Sequence, residues 1–346
     1  MKIQRLAVGM VSTVVAASLA ACGGTSAGGG SNNANSVTIY SADGLADWYK
    51  PAFAAFTKQT GIAVNYVESG SSEVVSRAEK ERGNPQADVL VTLPPFIQRA
   101  DADGMLGDLG VDTSAVPAGD KASNGHWSSM MDNYLAFIRN NTAKPAPATW
   151  QDLLNANYKG KLQYSTPGQA GDGTAVLFLL QYEFGKQGAL NYLKRLQANN
   201  VGPSSSTGAL QSKVSAGQLL VANGDVQMNS QSIHDDKSNF TVFFPSNAGK
   251  KPATIALPYD IGLASNAPHA DNGKKLIQYL LSADVQKTVS AGAWGLPARS
   301  DVHPTDANYV AMTKLLSNVD IYRPDWNSLL GEYDSDISAY NSAVGS

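Results

Sequence analysis

Four groups of small polar residues in this chain have the makeup to grip an anion without a cluster of basic side chains. They are Ser41-Ala42-Asp43-Gly44, Ser69-Gly70-Ser71-Ser72, the run from Ser165 to Thr174, and Asn229-Ser230-Gln231-Ser232. Each follows a short stretch that reads as a strand, the last of them Val226-Gln227-Met228. The second and third groups open helices. Exposed N–H groups at a helix N-terminus attract negative charge, and short hydroxyl side chains add donors. Glycine lets a backbone approach a ligand closely. In open α/β sheets, ligands sit beyond the carboxyl ends of the strands. Ser, Thr, Asp and Gly before a helix also serve as ordinary caps. The run 165–174 exceeds that need, since it carries three Gly and four hydroxyl or carboxylate groups. Ser204-Ser205-Ser206-Thr207-Gly208 reads as a loop rather than a site.

A set of groups able to do bond chemistry is not assembled. Gly24-Thr25-Ser26-Ala27-Gly28 matches G-x-S-x-G but lies outside the strand–turn–helix setting that a nucleophile elbow requires. Neither G-x-x-x-x-G-K-[ST] nor G-x-G-x-x-G occurs. His126, His234, His269 and His303 are scattered, and Asp235-Asp236 reads as a solvated turn. With no nucleophile, base and orienter in view, we expect no enzyme, no metal and no cofactor.

The elements that must position the polar groups follow an α/β pattern. Val37–Tyr40 reads as a strand, and the helix after it spaces Leu45, Trp48, Tyr49, Phe53 and Phe56 on one face. Pro51 fits only in the first turn of that helix. Gly61 suits its C-terminal cap. Ile62, Val64 and Tyr66 alternate along a second strand, residues 71–82 read as a helix, and Asp88–Thr92 as a third strand. Thr149-Trp150-Gln151-Asp152 has the form of a capping box with Asp in place of Glu. Residues 274–281 present an apolar helical face, and the stretch 309–340 reads as mainly helical with a break at Pro324. Short apolar runs alternating with helices predict βαβ units and a parallel sheet.

The chain has 346 residues, 43 % hydrophobic and 16 % charged, which suits about two domains with buried cores and excludes a disordered protein. Its net charge of −3 offers no basic field for nucleic acid. One cysteine excludes an intramolecular disulfide framework and a cysteine-based zinc site. Lys2 and Arg5 precede a short apolar segment ending at Ala20, the pattern of an export signal over residues 1–21. Leu19-Ala20-Ala21-Cys22 resembles the lipobox of bacterial lipoproteins, which implies lipidation of Cys22. Residues 22–36 are rich in Gly, Ser and Asn and read as a flexible tether.

Taken with these features, the chain resembles the substrate-binding components of 2-aminoethylphosphonate ABC importers, within the ferric-ion and polyamine-like class of extracellular solute-binding proteins. The resemblance rests on residues 37–44, Gly70-Ser71-Ser72-Glu73-Val74-Val75, residues 87–95, the run Gly160 to Thr174, and Leu257-Pro258-Tyr259-Asp260-Ile261-Gly262. It implies an α/β, two-lobed periplasmic-binding-protein-like fold of type II with two crossover strands, near 133–139 and 255–261. Lobe one would comprise 37–132 plus 259–346, and lobe two 133–258. It further implies phosphonate contacts at Ser41, Ser71, Ser72, Gly173 and Thr174. Asp43, Asp172, Tyr259 and Asp260 are candidates for the amine. The implied partners are 2-aminoethylphosphonate and an ABC permease in the membrane, with the receptor a lipid-anchored, extracytoplasmic monomer. Ferric-binding relatives use consecutive tyrosines as ligands, and no Tyr-Tyr pair occurs here. Ferric ion or a polyamine is the alternative ligand, and an exported phosphoester hydrolase the alternative activity.

Overall fold

The computed structural model describes residues 35–345. The expected signal, Cys22 and most of the tether lie outside the described residues. The first part of the chain runs β1 (Ser36–Ala42), α1 (Ala46–Thr60), β2 (Ala63–Ser69), α2 (Ser71–Lys80), β3 (Val89–Thr92), α3 (Phe96–Ala102), β4 (Leu106–Gly107) and β5 (Trp127–Asp132). The middle runs β6 (Leu135–Asn140), β7 (Leu162–Gln163), α4 (Gly171–Leu196), α5 (Gly208–Ser215), β8 (Val221–Asp225), α6 (Val226–His234), β9 (Phe240–Phe243) and β10 (Ala253–Ile255). The last part runs β11 (Tyr259–Ala264), α7 (Ala270–Leu280), α8 (Ala283–Gln286), α9 (Val289–Ala293), β12 (Leu296–Pro297), α10 (Ala307–Leu316), β13 (Asp320–Tyr322) and α11 (Trp326–Val344).

Two main sheets result. The first has the order β12-β5-β11-β3-β1-β2, with β4 pairing beside β11, and the second has the order β7-β8-β6-β9. β1, β2 and β3 are parallel, as the βαβ pattern predicts. The sheet is nonetheless mixed, because β11 runs antiparallel to both β3 and β5. The chain reaches β11 by returning from the second sheet rather than by a helical crossover, which removes the constraint that makes neighbouring strands parallel. Asn133 and Tyr134 carry the chain from β5 to β6, and residues 256–258 carry it back from β10 to β11, within the two expected crossover stretches.

The local chemistry explains most elements. Trp48, Tyr49, Phe53 and Phe56 bury one face of α1, and Gly61 ends it at φ 72°. Pro51 corrects the expectation: it stands in the second turn, where it is exposed and leaves the Asp47 carbonyl without its helical donor. The aromatic face holds the helix regardless. Thr149 and Asp152 form a reciprocal box, Thr149 N–H donating to Asp152 Oδ2 at 2.9 Å and Asp152 N–H to Thr149 Oγ1 at 3.1 Å. The C-terminal segment spans both sheets' layers. β13 pairs with β10. α11 sets Trp326 against Phe178 of α4 and Tyr333 against Phe96 of α3, with ring centroids 6.1 and 6.2 Å apart.

Candidate functional site

The carboxyl ends of β1, β2 and β3 lie along one edge of the first sheet. β11 begins at that edge, since Asp260 stands opposite Thr92. β7 and β8 of the second sheet are parallel and end at Gln163 and Asp225, so α4 and α6 start together. Contacts show that these two sets of ends meet. A Cβ built on Gly171 would stand 2.9 Å from Ser71 Oγ and 2.8 Å from Leu93 Cδ1. Ser72 Oγ donates to the Gln169 carbonyl at 2.7 Å. A Cβ on Gly208 would stand 3.4 Å from Asp43 Oδ2. Tyr259 Oη donates to the Asp43 carbonyl at 2.8 Å and to Gln227 Oε1 at 3.3 Å. Ser41, Asp43, Ser71, Ser72, Asp172, Gly173, Thr174 and Tyr259 therefore belong to one junction.

The hydrogen bonds of these residues differ from one to the next. Ser41 is buried, donates to the Ala42 carbonyl at 2.9 Å and shares a hydrogen bond with Tyr49 Oη at 3.2 Å. Thr174 Oγ1 donates to the Ala170 carbonyl and accepts from Gly168 N–H, both at 3.0 Å. The Ser41 and Thr174 hydroxyls bond nearby backbone carbonyls, whereas that of Ser72 reaches the Gln169 carbonyl across the junction. Gly173 packs against the Ser165 carbonyl with no room for a side chain. Ser71 Oγ faces Gly171 across the junction, and main-chain donors stand beside it. In α4 the first rung is Thr174 N–H to the Ala170 carbonyl at 3.0 Å, so the N–H groups of 171–173 precede the ladder. In α2 the first rungs run from Glu73 and Val74 to Gly70, which leaves Ser71 and Ser72 N–H ahead of it. α6 is capped from within: Val226 N–H donates to the Tyr134 carbonyl, Gln227 N–H to Asn133 Oδ1 and Met228 N–H to Asp225 Oδ1.

The same junction carries uncompensated acids. Asp172 is 5 % and Asp225 1 % exposed, and Asp172 Oδ1 and Asp225 Oδ2 have no hydrogen-bond partner. Burial, then the neighbouring Glu68, pushes Asp43 up to about 6. Burial, with the nearby Asp43 charge adding to it, pushes Asp172 up to about 7, while a hydrogen bond with Thr207 acts the other way. Asp225 is raised well above the carboxylate range by burial and then by Asp172. Burial, followed by Asp225, Asp43 and Asp172, also holds Tyr259 un-ionised. The charges that raise these groups are acidic: Glu68 acts on Asp43, Asp43 on Asp172, Asp43 and Asp172 on Asp225, and the three aspartates on Tyr259.

Asp260 does not join the group. Side chains alternate across a strand, so Asp260 points away from Tyr259. Its Oδ1 accepts from Ser129 Oγ at 2.6 Å and its Oδ2 is buried without a partner. It borders a cavity of about 910 Å³ with Gln98, Asp120, Asp132, Arg323 and Trp326. Asp225 and the loop 204–207 of the junction escaped sequence reading. Asp225 was hidden because residues 226–228 read as strand, whereas β8 ends at Asp225 and 226–228 form the first turn of α6. Asp225 as N-cap, with a helical run behind it, was the available signal. The loop 204–207 also walls the junction, through Ser204 N–H to Thr166 Oγ1 and Thr207 Oγ1 to Ser165 Oγ, both at 3.0 Å.

Two α/β lobes joined by two crossovers, with helix N-termini meeting at their junction, define the type II periplasmic-binding-protein fold. Solved structures agree. A periplasmic binding protein from Actinobacillus pleuropneumoniae, AfuA, aligns with TM-score 0.77 at 17 % identity, covering 90 % of this chain and 99 % of that one. The ferric binding protein from Campylobacter jejuni gives 0.74 at 18 %, covering 89 % and 99 %. The family model described as bacterial extracellular solute-binding protein matches residues 41–287, and the chain belongs to that family. It is 50 % identical over 317 residues, 90 % of this chain and 93 % of the other, to a Salmonella typhimurium protein named "Putative 2-aminoethylphosphonate-binding periplasmic protein".

Proposed function

We propose that this chain is the extracytoplasmic, lipid-anchored receptor of an ABC importer and that it captures 2-aminoethylphosphonate between its lobes. It acts by binding and delivery to a membrane permease, without turnover. Lobe one comprises 37–132 and the strands and helices from 259 onward, lobe two 133–258, with α10 and α11 bracing both. The observation that carries the reading is the pairing of opposite needs at one junction. Main-chain N–H groups at the starts of α2 and α4 suit a phosphonate. The unpartnered oxygens of Asp172 and Asp225, beside Asp43, suit an ammonium group. A dianion without an amine would satisfy only the first need.

In this reading Ser71, Ser72, Gly171 and Gly173 present N–H groups to the phosphonate. Ser41 and Thr174 hold the backbone that aims them, and Tyr259 closes the site beside Asp43. The name of the Salmonella relative supports the ligand. A thermal-shift panel tests it. At a hundredfold excess over Kd, 2-aminoethylphosphonate should add about 2.7 kcal/mol of stability. Ethylphosphonate, inorganic phosphate, ferric ion and putrescine should add far less. A shift with one of those and none with 2-aminoethylphosphonate overturns the ligand. For the anchor, Cys22→Ser should move the protein from the membrane fraction to the soluble one.

A further inference from the structure

The lobes touch through protein as well as through any solute between them. Gln227, the second residue of α6, is fully buried. Its Nε2 donates across the junction to the Gly44 carbonyl at 3.0 Å and to the Ala293 carbonyl at 2.7 Å. Its Oε1 accepts from Tyr259 Oη at 3.3 Å. Gly44, Ala293 and Tyr259 all belong to lobe one, whereas α6 belongs to lobe two. Gln231, one turn on, repeats the pattern with Nε2 donating to Asp47 Oδ2 at 2.6 Å.

The fit is sterically tight on both sides. Gly44 has φ +104°, and a Cβ there would stand 2.9 Å from Met228 Cγ and 3.0 Å from Gln227 Oε1, so α6 rests on bare backbone. On the opposite flank Gly171 of α4 approaches Leu93 and Ser71 of lobe one with no space for a methyl group. Gly171 lies at the first helical position, where alanine is the better helix former. A methyl group at Gly171 therefore opposes contact between the lobes and not the fold of lobe two.

We propose that Gln227 is a closure latch: a positioning residue that fastens lobe two to lobe one and sets how long the solute is retained. Its bonds are made only when the lobes are together, so they slow opening and leave encounter with the ligand untouched. Gly171 is the complementary requirement, a gap that lets the opposite flank close. The inference rests on the reading above that a solute is clamped between the lobes.

The test compares wild type with Gln227→Leu and Gly171→Ala, using 2-aminoethylphosphonate as the probe. Release is followed by stopped-flow tryptophan fluorescence and lobe contraction by X-ray scattering. Losing two buried hydrogen bonds should speed release by about tenfold or more in Gln227→Leu. Gly171→Ala should do likewise while its ligand-free melting temperature stays near that of wild type, which guards against a mere folding defect. The association rate of Gln227→Leu should stay within about twofold of wild type. Wild-type release rates in both variants overturn the latch and leave the ligand reading standing. A wild type that neither binds the probe nor contracts with it overturns the ligand reading and the latch together.

Discussion

Along β11, adjacent residues serve two acid clusters, one of which holds an arginine of its own. Tyr259 faces the junction of Asp43, Asp172 and Asp225, while Asp260 faces the cavity bordered by Asp120 and Asp132. In that cavity a guanidinium is supplied by the chain: Arg323 lies 3.3 Å from Asp120 and 2.8 Å from Asp132. Across the sheet, among the described residues, no ion pair holds Asp43, Asp172 or Asp225, and two carboxylate oxygens are left unpaired. A buried charge needs a partner or must take up a proton. Arg323 offsets Asp120 and Asp132 in its own cluster, and in the function we propose a ligand's ammonium group does the same for the junction acids. The wider cavity is thus not the better candidate; charge balance separates the two regions where volume does not.

The sharpest way to break this contrast is to remove the charge on the unbalanced side. Asp172→Asn and Asp225→Asn are isosteric, and Asn serves as well as Asp at the N-cap that Asp225 provides through Met228 N–H. Each should weaken 2-aminoethylphosphonate by about 1.5–3 kcal/mol, the worth of a hydrogen bond to a charged group. Ethylphosphonate, which lacks the amine, should bind these variants as well as or better than it binds wild type. Titration calorimetry with both ligands reads the ratio. If both variants kept the full preference for the amine-bearing ligand, the acids would not be its seat.

The two clusters were unequally legible in the sequence, and so was the fold. Strands β1 to β3 and the helices between them announce themselves through period and caps: Trp48, Tyr49, Phe53 and Phe56 on one face, Gly61 at the end. Residues 41–44 and 71–72 share one edge because β1 and β2 run parallel, whereas residues 171–174 follow a strand of the second sheet. What stayed hidden depended on non-local pairing. Tyr259 and Asp260 are adjacent, and only the pairing of β11 with β3 and β5 decides which face each takes. The strand-like look of 226–228 concealed Asp225. Hydroxyl groups were legible as site residues, but nothing local says that Thr174 bonds the Ala170 carbonyl and Gly168 N–H rather than a ligand.

A smaller effect follows from proton linkage. Asp43 and Asp172 are pushed up to about 6 and about 7 from 3.8. Between about pH 4 and about pH 7 the folded protein then holds protons that the unfolded chain has lost. These acids cost no stability below that window and their full cost above it, so ligand-free stability declines as pH rises from about 4 to about 7. A bound ammonium group favours the ionised carboxylates, so binding releases protons and tightens over the same range. Calorimetry near pH 6 in buffers of different ionisation enthalpy should report net proton release, and Asp172→Asn should diminish it. Proton uptake, or heats independent of buffer, would contradict the pairing of amine and acid.

The smallest effect is expected on the balanced side, at Asp260→Asn. Burial holds the Asp260 carboxyl well above the usual range. An asparagine carbonyl still accepts from Ser129 Oγ, and its new amide hydrogens stand where Oδ2 lacked a partner, beside the likewise unpartnered Gln98 amide. Replacing a buried ionisable group by a neutral hydrogen-bonding one is neutral or stabilising when its partners remain satisfied. The melting temperature should therefore hold or rise slightly, and affinity for 2-aminoethylphosphonate should stay within about twofold of wild type, a change below about 0.5 kcal/mol. A tenfold loss of affinity would join the two faces of β11 into one site, and charge balance would no longer tell them apart.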